Sequence, residues 1–206
     1  MKQKTIQLLE TALMVGVALW LLTGAMALNT QTQLAEKVVR LHVLANSDTP
    51  EDQALKLQVR DRVLEEATLI LEASATRTEA EARIRGSILE LERLAQETVR
   101  EAGYDYPVTA ELAEVPFPTR EYEGFTLPAG EYLALRILIG EAAGQNWWCV
   151  VYPPLCTAAS AEVPACALAA GLSEDQVRLI TEEDRGYVLK FKTVEWWQQL
   201  RQRFSH

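Results

Sequence analysis

The chain is short of the residues that carry most catalytic and metal chemistry, with three cysteines and two histidines among 206 residues. No C-x-x-C pair and no H-E-x-x-H occurs, so the usual zinc-site patterns are missing. G-x-S-x-G, S-x-x-K and D-T-G are absent as well, which removes the common hydrolase signatures. There is no glycine-rich phosphate loop. Gly140 and Gly144 follow an apolar run but lack the Lys-Ser/Thr ending. Basic charge is also scarce. Twenty lysines and arginines face 29 acidic residues, giving a net charge of −9. Such a chain is a poor phosphate binder, so nucleic acid is not an expected partner. No cofactor and no metal is expected. What remains, 49% hydrophobic and 24% charged residues, is globular composition and excludes wholesale disorder.

Only one long apolar run exists, and it lies at the start. Lys2 and Lys4 precede an uncharged stretch over residues 11–28 that ends in Ala25-Met26-Ala27. A positive end, an apolar middle and small residues at −3 and −1 describe an export signal. Residues 1–27 therefore read as a signal peptide or membrane anchor, with cleavage after Ala27 favoured over a retained anchor. Residues 28–206 read as a single exported domain. The membrane enters only through the N-terminal segment, if it is uncleaved.

Within that domain, residues 37–45 are rich in β-branched and apolar residues and predict a strand. Thr49, Pro50 and Asp52 carry N-cap, first-turn and capping-box signals for a helix to about residue 73. Leu55, Val59, Val63, Ala67 and Ile70 form its apolar stripe. A second helix is predicted from a capping box at Thr78 and Glu81 to Gly103, with Ile84, Ile88, Leu91, Ala95 and Val99 on one face. These two form a helical hairpin. Val108, Ala110 and Leu112 alternate as in a strand, and residues 116–130 read as a proline- and glycine-punctuated loop. Residues 132–139 and 147–152 predict two strands of a β-hairpin closed over 140–146 and ended by Pro153 and Pro154. Residues 157–186 read as a variable connection, with Ser173 and Gln176 capping a short helix. An extended stretch over 187–192 and a final helix over 193–204 complete the order. The class is α+β, a helical hairpin packed on a small, mostly antiparallel sheet, with a C-terminal helix.

His42, alone in an apolar strand, reads as a half-buried strand histidine, and His206 is terminal. Cys149 and Cys156 are either a disulfide closing a short loop, which leaves Cys166 odd, or reduced buried thiols. Trp147 and Trp148 must stand on opposite faces of their strand. Exposed aromatics beside prolines suit a protein-binding surface. Arg60 has Lys56 rather than an acid four residues before it, so no local partner explains it.

Residues 40–61 (RLHVLANSDTPEDQALKLQVRD), 117–120 (FPTR), 127–136 (LPAGEYLALR), 144–156 (GQNWWCVVYPPLC) and 191–196 (FKTVEW) resemble the stage II sporulation protein R family. The turn 140–144 departs from it, with alanines where a more glycine-rich turn is expected. The resemblance implies a signalling protein, not an enzyme. In that role the forespore exports the protein across its inner membrane into the intermembrane space. There it activates the membrane-embedded aspartic protease of the mother cell that processes pro-sigma-E. The expected partner-binding residues are Asn46, Asp48, Arg60, Arg120, Asn146, Trp147 and Trp148, with no catalytic residue. Two other classes compete: an extracytoplasmic thiol hydrolase using Cys149 or Cys156 with His42, and a cell-wall or membrane-surface binding module.

Overall fold

A computed structural model describes residues 7, 10–11, 13–18, 31–157 and 161–181. The cleavage site after Ala27, the extended stretch over 187–192, the helix over 193–204 and His206 lie outside the described residues. Among the described residues, no helix is long and apolar enough to cross a membrane.

Strand β1 (Val39–Leu44) is buried along nearly its whole length, and that decides its place. A strand buried on both faces belongs in the middle of a covered sheet. The four-stranded sheet has the order β2-β5-β1-β6, with β2 at Val108–Phe117, β5 at Gly130–Ile139 and β6 at Asn146–Tyr152. β1 runs parallel to β5 and antiparallel to β6, and β2 is antiparallel to β5. The expected hairpin of residues 132–152 is therefore not formed. Its two strands exist, but β1 is threaded between them and takes hydrogen bonds from both. The connection 140–145 crosses the end of β1 instead of closing a hairpin. There Gly144 and Ala143 donate their amides to the carbonyls of Ala45 and Asn46 at 3.0 and 3.2 Å.

One face of the sheet is covered by helices. α1 (Pro50–Leu71) starts at Thr49, whose hydroxyl accepts from the Asp52 amide. Its stripe of Leu55, Val59, Val63 and Ala67 is fully buried against Val39, Leu41, Val43, Leu133, Leu135 and Ile137. The second predicted helix is two helices, α2 (Arg77–Gly86) and α3 (Ile88–Glu101). The break falls at Gly86 and Ser87, where glycine weakens the helix and the Ser87 amide closes onto Arg83 and Ile84. The expected face survives the break: Ile84, Leu91, Ala95 and Val99 reach the core and Ile88 is partly buried against it, while Ala80, not among the expected residues, joins them.

The other face carries a second core. The stretch read as a loop holds a two-stranded hairpin, β3 (Arg120–Tyr122) and β4 (Phe125–Leu127). Beside it lie α4 (Val163–Ala169) and α5 (Glu174–Thr181), the latter capped as expected by Ser173 and Gln176. Phe117, Phe125, Leu127, Tyr132, Leu155, Val163 and Ile180 pack together here. The alanine-rich stretch thus supplies a short helix where no pattern was readable.

Candidate partner-binding groove

The two tryptophans divide between the faces, and each finds a cation. Trp147 points to the helical side, where the Arg60 guanidinium of α1 sits 4.2 Å from its ring centre. Arg60 also pairs with Asp61 at 2.6 Å. Trp148 points to the other side and stacks on His42, rings 4.0 Å apart and 13° from parallel. Phe117 meets the Trp148 ring edge-on at 4.5 Å, and Arg120 lies 5.8 Å above it. β6 is an edge strand, so both indoles stand beside a sheet edge that no described strand covers.

Along that edge runs an open groove of about 480 Å³. Arg60 and Asp61 form one wall, and Tyr122 and Glu123 of the β3–β4 hairpin form the other. Trp147, Trp148 and the bonded pair Cys149–Cys156 lie between them. The two cysteines bring their Cα atoms to 6.2 Å, and the Cys156 sulfur also accepts from the Val150 amide at 3.0 Å. Cys166 is the cysteine left free.

Behind the hairpin wall lies a buried arginine. Arg40 has no exposed surface, and its guanidinium packs 3.9 Å from the centre of the Phe117 ring and 5.0 Å from that of Tyr132. It donates to the Tyr122 hydroxyl, while its Nε and Nη1 find no acceptor among the described residues. Burial lowers its pKa and raises that of Tyr122, and the positive charge of Arg40 offsets part of the second shift. Sequence reasoning missed Arg40 and Tyr122. The available signal was Arg40 two residues before His42, two polar side chains on one face of an otherwise apolar strand.

The remaining expected residues serve the sheet end. Asn46 donates to Asp52 at 2.9 Å and accepts from the Glu141 amide at 3.0 Å. Asp48 accepts from the Gln145 amide at 2.7 Å, and Lys56 donates to the Gln145 carbonyl at 3.0 Å. This lattice locks 45–48 onto 141–145. Gly140 has φ +58° and faces Asn46, and Gly144 faces the Ser47 carbonyl, so neither leaves room for a side chain. The alanine-bearing turn keeps a left-handed residue at Ala142, φ 51°. Asn146 bonds His42 Nε2 at 2.7 Å. Arg60, Trp147, Trp148 and Arg120 thus gather around the β6 edge, Asn146 adjoins them, and Asn46 and Asp48 support the loop behind.

The hydrolase arrangement does not assemble with Cys149. Its side chain belongs to the helix-side core, whereas His42 stacks on Trp148 across the sheet and spends Nε2 on Asn146. Burial also pushes the His42 pKa down to about 4, with Arg136 and Arg40 adding to the effect and the Asn146 bond opposing it.

A family model described as stage II sporulation protein R matches residues 35–162. The chain belongs to the stage II sporulation protein R family. It is 38% identical over 128 residues to the stage II sporulation protein R of Bacillus subtilis (strain 168), across 62% of this chain and 57% of that relative. The aligned stretch is thus little more than half the length of the relative. No solved structure matches the chain. Every groove residue named above lies inside the family stretch, as do both sides of the 45–48 and 141–145 lock. The family places the protein in spore formation.

Proposed function

We propose that this is an exported signalling domain. It binds the membrane-embedded aspartic protease that processes pro-sigma-E and shifts it to its active state. The observation that carries the reading is the groove at the β6 edge, walled by Arg60 and Tyr122 and holding two tryptophans, inside the stretch shared with the family. Tryptophan and arginine beside a pocket are the residues that dominate protein interfaces. Activation requires only that the domain bind the active form more tightly than the inactive one. Moving a protease from about 1% to 99% active takes a preference of about 5.5 kcal/mol, within reach of one standard interface.

The N-terminal segment would deliver the domain across the forespore inner membrane. The test is co-expression of the chain, the protease and pro-sigma-E in a non-sporulating host, with cleavage followed by blot. Cleavage should require the chain, and deleting residues 2–27 should abolish it. Cleavage that proceeds equally without the chain would refute the reading.

A further inference from the structure

We propose that the open edge of β6 at Asn146 and Trp148 receives an extended segment of the partner protein as an added strand. The proposal rests on the reading above, that this domain acts by binding a protein partner, and specifies how.

The argument starts from one hydrogen bond. The Val150 amide donates to the sulfur of Cys156, a residue in no strand of the sheet that lines the groove beside β6. Backbone groups along a strand alternate in direction, so the N–H and C=O of Trp148 and Asn146 point outward as well. A second observation agrees. His42 and Trp148 are register partners whose rings approach to 4.0 Å, as expected of a non-hydrogen-bonded pair, in which side chains come closest. In such a pair the Trp148 N–H and C=O are not spent on β1. Among the described residues β6 pairs with β1 alone.

Proteins guard sheet edges, and this molecule guards the others. The opposite edge strand, β2, carries Glu111, Glu114 and Pro116. The far half of β6 is closed by Cys156 and by Pro153 and Pro154 just after the strand. The Asn146–Trp148 stretch has no lysine, no proline and no bulge, since the register shift falls at the Val39/Arg40 end. It is the unguarded part, and its Trp147 and Trp148 line the groove.

The groove selects the occupant. An added strand would send alternate side chains to Trp147 on one side and Trp148 on the other, so it should be apolar or aromatic in alternation. The rim carries exposed Glu123, and Asp61 which shares Arg60, on a chain of net charge −9. A basic segment is therefore favoured, and a second copy of this acidic chain is disfavoured. The chain's own 187–192 stretch (YVLKFK) is also basic and alternately apolar, so the test below includes it; the partner is the occupant proposed, because the domain acts by binding one.

The test compares Asn146→Pro with Asn146→Ala in the full chain. Both lose the side-chain bond to His42, but only proline removes the outward N–H, at a first strand position where proline is tolerated. Affinity is measured for the full-length protease in nanodiscs, with amide exchange at Trp148 read in the free and bound chain. The expected result is at least tenfold weaker binding for Asn146→Pro than for Asn146→Ala. Trp148 should exchange fast when free and slowly when bound. Equal affinities, or a stimulated protease that leaves the Trp148 amide unprotected, would overturn strand addition while leaving the activator reading intact. Protection already present in the free chain, lost on deleting 187–206, would assign the edge to the chain itself and also overturn it. A chain that neither binds nor stimulates the protease would overturn both readings.

Discussion

His42 and Trp148 lie face to face across β1 and β6, 4.0 Å apart, and the histidine is 6% exposed. A charged imidazole there would sit between Arg40 and Arg136, so burial and both arginines hold its pKa down at about 4. The unfolded chain, with an ordinary histidine near pKa 6.5, binds more protons than the folded one between pH 4 and 6.5. Stability from this group is complete above pH 6.5 and is lost as pH falls towards 4, by up to about 3 kcal/mol. Asp52, whose pKa is lowered chiefly by its bond from Ser47, acts in a lower window, below its ordinary 3.8. Urea unfolding at pH 7 and pH 4.5 should show the loss, and His42→Phe should flatten it. A slope unchanged in His42→Phe would show that other groups carry it.

Two glycines should respond in opposite directions. A side chain at Gly144 would meet the Ser47 carbonyl, which is backbone and already part of the loop lock. Gly144→Ala should cost more than about 2 kcal/mol, as overpacking against fixed atoms does. A side chain at Gly86, in the last position of α2, meets nothing within 4 Å, so Gly86→Ala should gain about 0.5–1 kcal/mol. Thermal melts of the two variants decide the matter, and a neutral Gly144→Ala would dissolve the lock.

These contrasts mark what the sequence could say. The stripe Leu55, Val59, Val63 and Ala67 was legible because helix burial repeats locally, and so was the cap at Thr49. Alternation also puts Trp147 and Trp148 on opposite faces, as found. Strand pairing was not legible. The strands ending at Ile139 and starting at Asn146 look like a hairpin, and only β1, about a hundred residues earlier, prevents it. Insertion of a strand between two neighbours is a long-range packing outcome with no short-range mark. The break at Ser87 was hidden because both helices keep one apolar face in phase. Arg40 was invisible for a similar reason, since its acceptor Tyr122 arrives from a hairpin 82 residues away.

The bond between Cys149 and Cys156 closes a loop over a sequence separation of 7. Loop-closure entropy for so short a ring is worth about 2–3 kcal/mol. The Cys149→Ala/Cys156→Ala variant should lose about that much and also loosen the groove floor. Unfolding with and without reductant measures it. Reductant that changes nothing in the wild type would remove the bond from the stability account.

Arg60 should separate function from folding. Its contacts are the Trp147 ring at 4.2 Å and an ion pair with Asp61, whose side chain is 62% exposed. Such surface contacts are each worth about 0.5–1 kcal/mol, so Arg60→Ala should melt close to the wild type. In the reconstituted cleavage assay it should nevertheless stimulate the protease at least tenfold less. Full stimulation by Arg60→Ala would take this wall out of the interface.

Arg40 should behave the other way in melts. It is fully buried, and among the described residues its bond to the Tyr122 hydroxyl is its one hydrogen bond and no carboxylate pairs with it. Replacing a buried, uncompensated charge with an apolar side chain of similar size is often neutral or stabilising by about 1–4 kcal/mol. Arg40→Met should therefore melt at or above the wild-type temperature, while Arg40→Ala, which leaves a cavity under Phe117, should lose about 2–4 kcal/mol. The Tyr122 hydroxyl would lose its donor in both, and the β3–β4 hairpin that walls the groove would lose its tie to β1. Faster amide exchange in 120–127 and weaker protease stimulation should accompany an undiminished melting temperature in Arg40→Met. If Arg40→Met instead unfolds as readily as Arg40→Ala, the guanidinium itself is a structural pillar of this core, and the expectation that an apolar side chain can replace it fails.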